Sequence, residues 1–236
     1  MHIPFDRLRA NGKILNLMAV TRCVVTRANS IPVAHPYQKF YVPFFIPLRL
    51  NTGTLIQQTK SMKAEPCTYV IFGATGNLSR IKLMPSLYHL DAANRLPEGT
   101  RILAIGRRPW DQQKWLAEVR QMIEAKVSDN FDETVFQRFS ARLHYHQGDI
   151  KQSQCYSELA DTLDLTNRFP KNIAFYLSIS PSDFGTVMKL LSDTGLFDEQ
   201  YGWRRVIIEK PFGYDLDSAK ALQKRISRYL SEEQIY

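Results

Sequence analysis

Tyr69-Val-Ile-Phe72, Gly73-Ala-Thr-Gly76 and Asn77-Leu-Ser-Arg80-Ile-Lys82-Leu-Met-Pro-Ser-Leu-Tyr88 follow one another without a break, and their order decides the fold. Val70, Ile71 and Phe72 form an unbroken apolar run, the pattern of a parallel strand buried on both faces. Gly73 lets the chain leave that strand in a tight turn, and Gly76, lacking a Cβ, lets a phosphate come close to the main chain. Leu78, Ile81, Leu83, Leu87 and Tyr88 then recur at helical spacing. The free N–H groups of that helix's first turn would point at the anion. Gly-x-x-Gly turns are common by themselves, so the weight rests on this one standing between a strand and a helix.

Arg101-Ile-Leu-Ala-Ile-Gly106 reads as the second parallel strand, and it ends in Arg107-Arg108. A unit that prefers the non-phosphorylated dinucleotide usually ends this strand with Asp or Glu on the ribose hydroxyl. An acidic group would repel a 2′-phosphate, whereas a guanidinium can fork two hydrogen bonds to it. The pair therefore favours NADP over NAD. The alternative reading is two solvated arginines in a surface loop.

The rest of the body alternates in the same way. Strands are expected at 68–72, 101–106, 143–146, 172–178 and 205–209, with helices at 78–93, 110–126, 132–139, 153–163, 181–193 and 217–230. In the second of these helices, 110–126, Trp115, Val119, Met122 and Ile123 share one face. Strands separated by helices imply right-handed crossovers and an α/β fold, a doubly wound parallel sheet of Rossmann-like type. Ligands of such a sheet sit beyond the carboxyl ends of its strands. Residues 73–80, Arg107, residues 176–181 and residues 209–213 stand there. Lys210, leaving a buried strand beside Pro211, is a candidate anion or hydroxyl ligand or else a surface lysine in a turn.

Charge separates the chain into two parts. The formal net charge of +8 would fit a nucleic-acid binder, but eight Lys/Arg and only Asp6 fall within residues 1–61, which leaves 23 basic against 22 acidic residues in the remainder. The body is nearly neutral, and the leader shows neither zinc-ligand spacing nor a basic helix, so no nucleic-acid partner is expected. Residues 40–48 are apolar but too short to span a bilayer and are broken by Pro43 and Pro47; no membrane span is expected. Residues 1–61 are expected to be an unstructured extension. They read either as an organelle presequence, against which Pro32, Pro36, Pro43 and Pro47 count, or as sequence upstream of a true start at Met62. Residues 62–236 form the domain. Cys23, Cys67 and Cys155 are odd in number and scattered, so neither a disulfide framework nor a paired metal motif is expected, and a reducing cytoplasm fits.

Taken together, Gly73-Ala-Thr-Gly-Asn-Leu-Ser-Arg-Ile-Lys-Leu-Met-Pro-Ser-Leu-Tyr88, Arg107, Phe175-Tyr-Leu177, Ile208-Glu-Lys-Pro-Phe-Gly213 and Glu233-Gln-Ile-Tyr236 resemble glucose-6-phosphate dehydrogenases from Cys67 to the last residue. The resemblance implies oxidation of glucose 6-phosphate to its lactone, with hydride passed to NADP, in the first step of the pentose phosphate pathway. It implies that Gly73, Ala74, Thr75, Gly76, Asn77, Leu78, Ser79 and Arg80 cradle the coenzyme phosphates, that Arg107 binds the 2′-phosphate and that Tyr176 lines the nicotinamide side. Lys82 and Lys210 would hold coenzyme and sugar, with Lys210-Pro211 as a cis peptide. Full-length members are homo-oligomers, an arrangement not expected of a coenzyme domain alone.

Departures from the pattern matter too. Asn77 stands where the family usually has Asp, though Asn can still cap a helix, and Ser180 replaces the first of two prolines. The family continues past Gln-Ile-Tyr with Arg-Ile-Asp-His-Tyr-Leu-Gly-Lys and a large antiparallel domain, which supply sugar ligands and the Asp/His pair. None of His2, His35, His89, His144 and His146 fits the required base. This sequence is thus expected to be a coenzyme-domain fragment, inactive alone. Two rival classes are a short-chain reductase and a non-catalytic NADP-binding module. The first usually has a third glycine where Ser79 stands, and no tyrosine of the body has the lysine four positions on that its Tyr-x-x-x-Lys requires.

Overall fold

The computed structural model describes residues 64–165, 167–209 and 215–236. The expectations for residues 1–61, and those for Lys210 and its peptide bond to Pro211, lie outside the described residues. Five strands, β1 (Thr68–Phe72), β2 (Arg101–Gly106), β3 (Leu143–Gln147), β4 (Ile173–Leu177) and β5 (Arg204–Ile208), form one sheet in the order β3-β2-β1-β4-β5. All neighbours are parallel, with Ile71 opposite Ala104 on one side and Tyr176 on the other. The chain steps outward from β1 to β3, then returns to the far side of β1 for β4 and β5. That reversal opens a crevice at the carboxyl ends of β1 and β4, the switch point of a doubly wound sheet.

Six α-helices lie among the described residues: α1 (Met84–Ala92), α2 (Gln112–Val127), α3 (Glu133–Ser140), α4 (Ser153–Leu165), α5 (Phe184–Asp193) and α6 (Leu216–Ile226). Val70, Phe72, Leu103, Ile105, Phe175 and Val206 point to one face, where Tyr156, Leu159, Val187, Leu191 and Ile226 of α4, α5 and α6 complete a core. Residues of the other parity, such as Tyr69, Ile71, Ile102 and Ala104, point to the opposite face, and α1, α2 and α3 pack on one another there. Trp115, Val119, Met122 and Ile123 of α2 are buried as their spacing implies.

The helix after the glycine turn differs from its expected form. Residues 79–83 make a wide π-type turn in which the Met84 N–H reaches Ser79 O, five residues back. Pro85 explains it: proline has no N–H to offer Ile81 O, and its ring pushes that carbonyl aside. The widened turn shifts the helical phase. Ile81, expected on the apolar face, is instead 54% exposed, beside exposed Lys82.

Two devices close the rest of the sheet. At the free edge of β3, the Gln112 side chain donates from Nε2 to Leu143 O (2.7 Å) and accepts from Tyr145 N–H (3.1 Å), standing in for one residue of a further strand. Such a cap blunts an edge that would otherwise pair with another chain. On the outer side of β5, Tyr236 N–H donates to Val206 O (2.9 Å) and Ile208 N–H to Tyr236 O (3.0 Å), so Ile235 pairs in parallel with Val206.

Charge is buried at the amino ends of the strands. Asp91 of α1 is 1% exposed and lies 2.9 Å from both Arg138 of α3 and Arg142 just before β3. Arg142 also donates to the carbonyls of Pro97 (2.8 Å), Glu98 (2.8 Å) and Thr100 (3.3 Å). One carboxylate thus ties a helix on one crossover to the loop and strand of the next. Removing one partner of a buried pair strands the other charge, at a cost of about 3–5 kcal/mol. Asp91→Ala is therefore expected to lower the free energy of unfolding by about 3 kcal/mol, read as a fall in the urea midpoint. A loss under about 1 kcal/mol, the level of a surface pair, would contradict this account.

Candidate functional site

At the end of β1 the chain turns through Gly73 with φ of +74°. A Cβ there would stand 2.3 Å from Ser178 O and 2.9 Å from Ile179 Cγ2. Glycine is thus required twice, for the left-handed backbone and for the approach of β4. The surrounding main chain is stitched together. Ser178 N–H donates to Phe72 O (3.0 Å), Gly76 N–H to Gly73 O (2.9 Å) and Ala74 N–H to Ile105 O (3.1 Å).

Helix begins at Asn77, and its first cross-turn bond runs from Arg80 N–H to Gly76 O (3.0 Å). The preceding N–H groups have no intrahelical acceptor. Gly76 and Asn77 are exposed, Ala74 and Ser79 are buried, and Thr75, Leu78 and Arg80 are half-buried. The buried Ser79 hydroxyl has no hydrogen-bond partner among the described residues. Asn77 does not act as the cap its chemistry allows. It already lies in the helix's first turn, whereas a capping side chain sits on the residue before it.

Arg107 and Arg108 follow β2 and are both exposed. The end of β2 meets the glycine loop directly. A Cβ on Gly106 would lie 2.9 Å from Thr75 Cγ2 and 2.9 Å from Tyr145 Oη. Together with the Ala74–Ile105 bond, this brings residues 73–80 and the arginine pair to one end of the sheet. Neither arginine forms an ion pair among the described residues.

Tyr176 is buried at the end of β4, 5.8 Å from the ring of Tyr69. Its hydroxyl donates to the Glu209 carboxylate, so the ends of β4 and β5 are braced. Burial, and then that hydrogen bond, push its phenol well above the usual range. Lys82 is exposed in the wide turn, with no ion-pair partner among the described residues. Lys210 lies outside the described residues. The Tyr176–Glu209 bond and the Gly106–Tyr145 approach went unread in the sequence. Each joins residues more than thirty positions apart, and only the alternation of aromatic and polar residues in residues 143–147 hinted at the second.

A family model described as "Glucose-6-phosphate dehydrogenase, NAD binding domain" matches residues 70–236. This chain belongs to that family. The glucose-6-phosphate 1-dehydrogenase of Bacillus subtilis (strain 168) is 37% identical over 180 residues, covering 75% of this chain and 36% of that protein. The Chlamydia pneumoniae enzyme of the same name is 39% identical over 178 residues, covering 72% and 35%. Among solved structures, glucose-6-phosphate 1-dehydrogenase from Mycobacterium avium aligns with a TM-score of 0.64 at 33% identity, over 72% of this chain and 36% of that one. A glucose-6-phosphate dehydrogenase in complex with its substrate glucose-6-phosphate also aligns at 0.64, with 28% identity, over 73% and 36%. The chain spans about a third of the length of the relatives it matches. No helix among its described residues is long and apolar enough to cross a membrane.

Within this glucose-6-phosphate dehydrogenase domain, the described histidines are engaged elsewhere. His89 packs against Tyr88, His144 packs edge-on to Phe169 with ring centroids 5.0 Å apart, and His146 Nε2 lies 3.9 Å from Glu158. Burial, with Arg168 and Arg101 adding to it, holds the His144 imidazole down to about 4 from its ordinary 6.5. Above about pH 6.5 both folded and unfolded chains keep this group neutral, and as pH falls from there toward 4 only the unfolded chain takes up the proton, so stability is lost. Urea midpoints measured from pH 7.5 down to 5 are expected to fall, and His144→Gln is expected to flatten that slope. Equal slopes in the two proteins would contradict the assignment.

Proposed function

We propose that this chain is the coenzyme domain of a glucose-6-phosphate dehydrogenase, an oxidoreductase that converts glucose 6-phosphate to 6-phosphogluconolactone and takes NADP as its coenzyme. The observation that carries this reading is the junction of the glycine loop with the arginine-bearing end of β2, through the Ala74–Ile105 bond and the contact of Thr75 with Gly106. A dinucleotide needs both at once, because its diphosphate and its 2′-phosphate lie on one molecule.

The residues present fit that coenzyme. The exposed main chain at Gly76 and the open N–H groups of the helix's first turn receive a diphosphate, where the helix dipole favours negative charge. Arg107, exposed and without an ion-pair partner among the described residues, receives the 2′-phosphate. When bound, NADP supplies the nicotinamide ring that accepts hydride from the sugar. The buried ring of Tyr176 forms a wall at the end of β4, its hydroxyl held by Glu209. Exposed Lys82 offers a cation to sugar or coenzyme phosphate, and Lys210, two places beyond the end of β5, is assigned the same task. The sugar hydroxyl needs a base within hydrogen-bond reach, and the packing of His89, His144 and His146 gives that role to none of them. Two free, buried thiols, Cys67 and Cys155, fit a reducing cytoplasm.

Arg107→Asp tests the coenzyme assignment. Charge-assisted hydrogen bonds are worth about 1.5–3 kcal/mol, so NADP binding to the purified chain is expected to weaken roughly 10- to 150-fold. NAD binding should change far less. Equal losses for the two, measured by calorimetric titration, would show that this arginine does not meet the 2′-phosphate.

A further inference from the structure

We propose that Tyr145 is a positioning residue that sets the preference for the phosphorylated coenzyme by holding the Arg107–Arg108 turn in place; the inference rests on the NADP reading above. Tyr145 lies on β3, one strand away from the arginines. Its hydroxyl donates to Arg108 O at 2.8 Å, and Trp110 N–H donates to the same oxygen at 2.8 Å. Both lone pairs of that carbonyl are therefore used. Pro109, between the two residues, fixes its own φ and restricts the residue before it. The result is a turn with few conformations left.

Its side chains are held as well. The Tyr145 ring lies 5.3 Å from Trp115 and 5.9 Å from Trp110, and the two indoles are 6.3 Å apart. Trp115 is fully buried in the core beneath α2. The Arg108 guanidinium sits over the Trp110 ring, 4.9 Å from its centre. A chain of contacts thus runs from the core through Tyr145 and Trp110 to Arg108, whose backbone carries Arg107 beside it. The Tyr145 hydroxyl also occupies the space beside Gly106 where Thr75 of the glycine loop arrives. One hydroxyl therefore sets the separation between the diphosphate loop and the turn that carries Arg107.

Selectivity, rather than affinity in general, should depend on it. NAD offers the turn only a neutral 2′-hydroxyl and no charge for a guanidinium to grasp, so loosening the turn costs it little, whereas a 2′-phosphate must then order the arginine as it binds. The test titrates the full 236-residue chain with NADP and with NAD by calorimetry, for the natural protein, Tyr145→Phe, Arg107→Ala and the double variant. Tyr145→Phe is expected to weaken NADP about 3- to 10-fold, the range of one lost hydrogen bond, and to leave NAD and the circular dichroism spectrum unchanged. In the Arg107→Ala background the same change should have no further effect on NADP, because the hydroxyl acts through that arginine. Trp110→Leu, which removes the ring beneath Arg108, should reproduce the NADP-only loss. Equal weakening of both coenzymes by Tyr145→Phe, or an undiminished effect in the Arg107→Ala background, would overturn the inference while leaving the coenzyme reading intact. A natural chain that binds NADP no more tightly than NAD would overturn the coenzyme reading and this inference with it.

Discussion

Ser178 O stands where a side chain on Gly73 would have to be, and the open end of the sheet is organised around that contact. β4 can press against the end of β1 only because residue 73 has no Cβ and takes a left-handed backbone. From that turn the Ala74 N–H is aimed at Ile105 O on the other neighbour, and the following helix starts directly over the strand ends. Three strand ends and one helix terminus are thereby held together by main-chain bonds alone.

The two ends of the sheet treat charge in opposite ways. At the amino ends, charge is satisfied within the fold: buried Asp91 faces exposed Arg138 and buried Arg142, while buried Arg204 donates to the carbonyls of Leu196, Lys171, Gly202 and Trp203. At the carboxyl ends, Arg107 and Arg108 are exposed without ion-pair partners among the described residues, and Lys82 is exposed nearby in sequence on the helix that leaves β1. Cations buried with a carboxylate or carbonyls hold structure. Cations left in solvent beside open helix N–H groups make an attractive field for an anion.

Much of the architecture could be read from local pattern. β1 and β2 have the bounds their apolar runs imply, and the glycine turn fell between strand and helix as expected, because these features are set by neighbours in sequence. The exposure of Ile81 was not legible from periodicity, since Pro85 widens the turn and shifts the phase of the residues before it. Asn77 could pass for a cap by its chemistry, but capping depends on which residue precedes the first helical turn. The Gln112 cap on β3 and the Tyr145 contact with Arg108 join residues 31 to 37 positions apart and appear only once the sheet is assembled. The nearness of the end of β2 to the glycine loop is itself readable from sequence, because adjacent parallel strands bring their carboxyl ends together.

In the proposed coenzyme complex, the loop after β1 and the turn after β2 act on one bound molecule. Amide spectra of the nitrogen-15-labelled chain, titrated with NADP and separately with NAD, test it most directly. NADP is expected to shift the amides of residues 73–80 and 106–108 together, along curves that saturate at one dissociation constant, whereas NAD should move the first group and barely move the second. Curves with different constants, or shifts confined to one of the two groups, would contradict it.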